Sequence, residues 1–503
     1  MTIHLSIVVF LPLAAGLLSA FLPARFARWL VLGATIGVLG YAIAMLADFP
    51  RGDGGMHYVT SDEWIPELGI RYSLGIDGLN LFMVFMTALL WVPCALWAFI
   101  RERERRRLFF FHLALGETAV LGAFCAQDLA LFVVFFDLML VPFYFLIGGW
   151  GSGDRVRATT TFVIYTLVGS LLMLAGAVAL GVLATPDGGE ISFSLAELAQ
   201  RPLAEGTQQW IFVLFAVAFL VKAPLFPLHG WVPATYRAAP IPVLALLSAV
   251  LSKVGVYAFL RIVLPILPDA AQHFQEILLA LSVFSIVYGS VVAFSQDEAR
   301  LVVAYSSIAQ LGFITLGIFS LDDKGAQGAV MQMLNHALVV VPLFFIIALL
   351  AARAGGSDRL SQMGGIAYRA PVLAALFLVV TLATLAMPGS PNFVGEILIL
   401  FGTFEDKFVY GVLASTGVAL AAVYMIRFFQ RAMHNRVGEA VESRELCRLD
   451  LACIAPLVAV VVALGLYPQF FLDRSEEATV SKIERAAGQA PAPQAAAPQE
   501  FAP

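Results

Sequence analysis

The sequence predicts an all-α polytopic membrane protein of about fourteen transmembrane helices, arranged as two inverted five-helix repeats with helices 7 and 12 broken. Three observations carry that fold class. Of the 503 residues, 60% are hydrophobic and only 13% are charged, roughly half the charged share of a soluble domain. The apolar residues fall in runs of about 20, the length that crosses a bilayer as a helix. Two of those runs are interrupted by a proline pair at the same internal spacing, five spans apart.

The runs lie near 4–22, 29–48, 76–99, 109–126, 127–148, 159–184, 209–236, 243–266, 275–295, 301–320, 327–352, 371–404, 408–430 and 451–471. Strands of a membrane barrel would instead alternate apolar and polar residues over about 10 positions. The first run has no Lys or Arg before Arg25, whereas a secretory signal carries a basic segment ahead of its apolar core. It reads as an uncleaved first helix. The chain divides into a three-helix segment (1–108), spans four to eight (109–266), spans nine to thirteen (267–431), a loop with the last span (432–471), and a tail (472–503). The Ala/Pro/Gln-rich end of that tail is expected to be disordered.

Basic residues give the orientation. Counting loops from the first span, the odd ones hold 19 Lys and Arg and the even ones 5. Short loops rich in Lys and Arg stay in the cytoplasm, so both termini are expected on the other side. Four cysteines form no CxxC pair and are expected to pack as small apolar residues. Neither a Gly-rich dinucleotide fingerprint nor a P-loop is present, so nucleotide and metal sites are not indicated.

The informative residues are the charges left inside the apolar runs, because each costs several kcal/mol at the bilayer centre. Glu117, Asp137, Lys222, Lys253 and Glu396 lie deep; His229 and His336 also fall within spans. Asp77 and Asp128 sit where helices start and read as caps. Arg261, near a span end, is expected to snorkel to the surface. Either histidine also fits the role of a satisfied interhelical hydrogen-bonder, and for His229 that reading weighs nearly as much as a proton role. For the deep five a static role is poorly economical, since buried ion pairs are an expensive way to hold helices together. Lysine is the informative cation: an ammonium removed from water holds its proton less firmly and recovers it when a carboxylate approaches, which arginine cannot do.

The broken runs read FLVKAPLFPLHGWVP, with Pro224 and Pro227, and LATLAMPGSPNFVGE, with Pro388 and Pro391. Proline removes a helical hydrogen bond and clashes with the preceding turn. The freed backbone is tolerated at membrane depth only against protein or water. Lys222 stands just before one break and Glu396 just after the other. Five being odd, the units 4–8 and 9–13 are expected to run in opposite senses, the pattern of inverted repeats around an ion site. These features alone point to an ion or proton translocator.

Several segments carry a family resemblance: ELGIRYSLGIDGLNLFMVFMTALL (67–90), FFDLMLVPFYFLIGGWG (135–151), VKAPLFPLHGWVP (221–233), AYSSIAQLGF (304–313) and PGSPNFVGEILIL (388–400). In order and spacing they resemble the antiporter-like M subunits of bacterial NADH-quinone oxidoreductase, respiratory complex I. The resemblance implies a membrane-arm subunit that translocates protons while other subunits pass electrons from NADH to quinone. It also implies other membrane-arm and peripheral-arm subunits as partners, a bacterial inner-membrane location, and no cofactor in this chain, with flavin, iron-sulfur clusters and quinone held by partners. Carried over by position, the relay residues are Asp137, Lys222, Lys253 and Glu396, joined by Glu117 and His336. Related alternatives are a subunit of a multi-subunit cation/proton antiporter or of a membrane-bound hydrogenase; an independent secondary transporter is a more distant one.

Three departures stand out. Asp137 replaces the usual glutamate and is one methylene short, so its reach to Lys222 is expected to need a helix shift or a water. VPATY (232–236) replaces LPDAH. Gln310 stands where a histidine is common. The expected mechanism has Lys222 alternate between pairing with Asp137 and losing it, with the released proton passing through His336 toward Lys253 and Glu396.

Overall fold

The computed structural model describes residues 4–101, 104–442 and 444–488. The disorder expected at the end of the tail lies outside these residues. Eleven helices are long and apolar enough to cross a membrane. The other three expected runs appear as a 17-residue helix, α1 (Leu5–Phe21), and as two broken helices. The first consists of α8 (Glu205–Lys222) and α9 (Val232–Ala238), the second of α14 (Pro371–Thr384) and α15 (Pro391–Asp406).

In chain order the rest are α2 (Ala24–Asp48), α3 (Gly78–Ile100), α4 (Arg106–Cys125), α5 (Leu129–Leu138), α6 (Leu140–Trp150) and α7 (Arg155–Leu183). After the first break come α10 (Ile241–Ile266), α11 (Gln275–Ser295), α12 (Ala299–Phe319) and α13 (Asp323–Arg353). After the second come α16 (Phe408–Met433), α17 (Arg448–Leu466) and α18 (Gln469–Ala486). Apart from the charged α18, the long helices are apolar on nearly every face, because the faces that do not pack meet lipid. What separates them is position. The most hydrophobic stretch of α10 is wholly buried and those of α12 and α13 are 94% buried, against 33% for α16 and 28% for α17. Lys253, Gln310 and His336 therefore sit on the three central helices.

Three features depart from the sequence reading. An antiparallel hairpin, β1 (His57–Ile65) with β2 (Ile70–Ile76), fills the second loop. The start of the tail is helix α18, whose Phe471, Ser475, Ala478, Thr479 and Ile483 are buried. Span five runs through Met139 as one 22-residue helix, Leu129–Trp150, with only a local irregularity between α5 and α6. Arg261 does not snorkel; it is 4% exposed and ion-paired with Asp77, itself 1% exposed. The reason is the cap. Asp77 accepts hydrogen bonds from the Leu79 and Asn80 amides at the start of α3, so its carboxylate is fixed below the surface. An unpaired buried charge there would be more costly than drawing Arg261 inward. Asp128 caps α5 as expected, through the Leu131 amide.

Loops of the basic set touch one another: Arg237 pairs with Glu298, Arg300 with Asp358, and Arg431 with Asp297. At the other end, Gly52 donates to the Asp473 carbonyl and Gln272 to that of Ala486. Cys94, Cys125 and Cys453 are buried free thiols, while Cys447 is exposed.

Candidate functional site

Helix α8 ends at Lys222 because Pro224 and Pro227 cannot continue it. The break is stitched by side chains: Trp231 Nε1 donates to the Val221 carbonyl at 3.0 Å, and Ser285 Oγ accepts from the Phe226 amide at 3.0 Å. The chain then re-enters a helix at Val232 and Pro233, where a missing N–H costs nothing. Lys222 is 6% exposed. Its ammonium lies 4.5 Å from the centre of the Phe136 ring and makes no hydrogen bond among the described residues. Asp137, next to that ring, instead accepts from Ser170 Oγ of α7. The expected Asp137–Lys222 ion pair is thus open, in keeping with the shorter side chain.

Helix α10 crosses the end of α8 at Gly255. A Cβ there would lie 2.6 Å from the Phe219 carbonyl oxygen and 3.0 Å from the Ala223 nitrogen, so only glycine permits this approach. Two residues earlier stands Lys253, flanked by π-helical turns at Leu247–Leu251 and Phe259–Val263. Such turns are wider than an α-turn and recur at functional sites. Here the Ser248 carbonyl receives Ser252 Oγ at 2.7 Å and Lys253 Nζ at 2.9 Å. Lys253 also reaches Ser252 Oγ at 3.2 Å and His336 Nδ1 at 2.6 Å. Three partners match the three donors of an ammonium. Lys253 is wholly buried.

His336 belongs to α13, and one turn before it stands Gln332. The Gln332 amide donates to Gln310 Oε1 at 2.7 Å and, more weakly, to Glu396 Oε1 at 3.4 Å; Gln310 donates to the same Glu396 oxygen at 2.8 Å. Glu396 stands early in α15, which begins just past the second break with Ser390 as its cap. Asn335 Nδ2 fastens the start of α15 by donating to the Pro391 carbonyl at 2.7 Å. The structure therefore brings Lys253, His336, Gln332, Gln310 and Glu396 into one buried polar seam, with Lys222 against the helix that carries Lys253.

Two expected residues stand apart. Glu117 is wholly buried and accepts from Thr35 Oγ1 of α2 at 2.9 Å. His229, inside the first break, lies 3.2 Å from Tyr288 Oη. Neither is hydrogen-bonded to the seam among the described residues. Sequence reasoning missed Ser170, Ser248, Ser252 and Gln332. The available signal was a polar residue within an apolar run, as in AVMQMLNHAL, and serines four apart at 248 and 252. Among the described residues no three His, Cys, Asp or Glu side chains gather as a metal would require.

Residues 126–421 match the family described as NADH:quinone oxidoreductase/Mrp antiporter, TM. NADH-quinone oxidoreductase subunit M of Rhodobacter capsulatus is 34% identical over 485 residues, covering 93% of this chain and 94% of that one. The chain belongs to the NADH-quinone oxidoreductase subunit M family. The subunit M of Mycobacterium tuberculosis (strain ATCC 25618 / H37Rv) is 33% identical over 534 residues, covering 98% of this chain and 96% of its own. A chain of the respiratory complex I from Thermus thermophilus with bound NADH superposes with a TM-score of 0.88 at 30% identity, over 96% of this chain and all of that one. A chain of the Mrp complex from Dietzia sp. DQ12-45-1b shares the fold, with a TM-score of 0.83 at 22% identity over 97% of this chain and all of its own. The family match contains every residue of the seam, and Asp137 and Lys222 too; Glu117 lies before it.

Proposed function

We propose that this subunit M chain translocates protons in the membrane arm of a bacterial NADH-quinone oxidoreductase, driven by electron transfer from NADH to quinone in partner subunits. The supporting observation is the buried seam, in which the 2.6 Å contact between Lys253 and His336 lies one helical turn from the amides that hold Glu396. Flavin, iron-sulfur clusters and quinone belong to the partners, and this chain performs no redox step itself. It crosses the inner membrane about fourteen times, as two inverted repeats, with both termini outside the cytoplasm.

The geometry supports the following roles. Lys222 carries the proton taken up on the first half. When Asp137 leaves Ser170 and turns toward Lys222, the ammonium gains a counter-charge and keeps its proton; when Asp137 turns back, that support is lost. The proton passes to Lys253 across the close approach at Gly255, and so reaches Lys253 before His336, the reverse of the order expected from the sequence. From Lys253 it crosses to His336 Nδ1 along an existing hydrogen bond, which needs no movement of either helix. Glu396 receives it beyond the second break.

The test is Lys222→Ala in the intact complex, assayed for proton-to-electron ratio in inverted vesicles supplied with NADH. A fall in the ratio is expected, and the wild-type ratio would overturn the proposal. A native gel stained for NADH dehydrogenase activity separates this reading from the antiporter or hydrogenase alternatives, which would leave the band unstained.

A further inference from the structure

We propose that Gln332 and Gln310 are positioning residues that decide which oxygen of Glu396 takes the proton. The inference rests on the proton-translocation reading above and assigns to Gln310 a task that a histidine would perform differently. The amide donors run in one direction. Gln332 donates to the Gln310 carbonyl oxygen at 2.7 Å, Gln310 donates to Glu396 Oε1 at 2.8 Å, and the Gln332 amide also approaches Oε1 at 3.4 Å. All three side chains are at most 3% exposed. Glu396 Oε2, also buried, has no hydrogen-bond partner among the described residues.

This asymmetry has a chemical consequence. An oxygen that already accepts two N–H groups is a poor site for a further proton, whereas a free lone pair in a buried site is costly until it is filled. Oε2 takes the proton, and Oε1 remains the carbonyl oxygen of the acid. Gln310 has no titratable nitrogen, so the proton does not stop on α12 as it could on an imidazole. It moves to Oε2 directly, while Gln310 only holds the carboxyl group in place.

The scaffold leaves room for this arrangement. A Cβ at position 395 would lie 2.5 Å from Gln332 Oε1, so a side chain there would push the amide from its place beside Glu396. The Gln332 carbonyl oxygen itself accepts no hydrogen bond among the described residues, which leaves its amide free to point its donors in one direction.

The test uses purified, intact complex carrying variants of this subunit, checked for assembly on a native gel. Two readouts are taken: the NADH-driven proton-to-electron ratio, and the infrared C=O stretch of the protonated Glu396 carboxyl, assigned as the band removed by Glu396→Gln. In Gln332→Met and Gln310→Leu the carbonyl oxygen loses donors, so the band is expected to move to higher wavenumber and the ratio to fall. Gln310→His, which restores an N–H, is expected to keep the wild-type band position. An unmoved band in both Gln332→Met and Gln310→Leu overturns the inference. A wild-type ratio in Glu396→Gln overturns the translocation reading instead, so the two failures are distinguishable. If one of the apolar variants does not assemble, the other reads the same band.

Discussion

Lys222 and Lys253 are both buried ammoniums on helices in contact, yet they are held in opposite ways. Lys222 ends a broken helix, lies over an aromatic ring, and has no hydrogen bond among the described residues. Lys253 sits inside a continuous helix with all three donors used, one of them on His336 at 2.6 Å. A charge over a ring face is attracted without a fixed direction, while three hydrogen bonds fix both position and angle. The first lysine is therefore the one built to move. On the proposed reading, the second hands a proton along a contact that already exists.

The largest effect that would break this comparison is on the first lysine. Lys222→Arg keeps the positive charge but cannot release its proton in the working range. We expect it to abolish the contribution of this subunit to the proton-to-electron ratio, as is expected of Lys222→Ala. An Arg variant that pumped normally would mean that charge alone suffices. Next, His336→Phe removes one of three acceptors from a saturated, buried ammonium and leaves a donor unpaired. It should cost about 1–3 kcal/mol of stability, read as a lowered melting temperature of the detergent-solubilised complex, and it should lower pumping as well.

A smaller effect sharpens the contrast. Asp137→Glu supplies the missing methylene, and the carboxylate is expected to leave Ser170 and close on Lys222. A structure of that variant would show the ion pair directly, and pumping should be retained. If the longer side chain stayed on Ser170, the shortness of aspartate would not explain the open pair. The smallest effect belongs to the surface. Arg237→Gln breaks the pair with Glu298, whose two side chains are 51% and 27% exposed. Exposed pairs of this kind contribute about 0–1 kcal/mol, so the melting temperature should barely change.

These differences also show what the sequence could convey. Spans, breaks and deep charges were legible because each is a local departure from a long apolar background: a lysine or a proline pair in such a run cannot be overlooked. The directions of those charges were not. Arg261 reads as a residue near a span end, and only the cap at Asp77, 184 positions away, explains why it turns inward. Asp137 meets Ser170 rather than Lys222 through packing of α7 that no run of residues announces. The glutamine pair joins α12 to α13, and a lone amide in an apolar helix gives no sign of the partner it will find. The hairpin at 57–76 escaped notice because its polar face belongs to a loop rather than to a span.

The π-helical turns of α10 give the least warning of all, since LSAVL and FLRIV contain no breaker. Each such turn amounts to one extra residue in an otherwise regular helix. Removing a single residue from 247–251 would restore ordinary winding, and the shortened helix would be the more regular of the two. The flanking segments would keep their faces, because the wide turn is what absorbs the extra residue, and the loss would fall inside the turn itself. Ser248 could then no longer offer its carbonyl to Lys253. In this stretch the chain tolerates exchange of one apolar residue for another far better than any change of length.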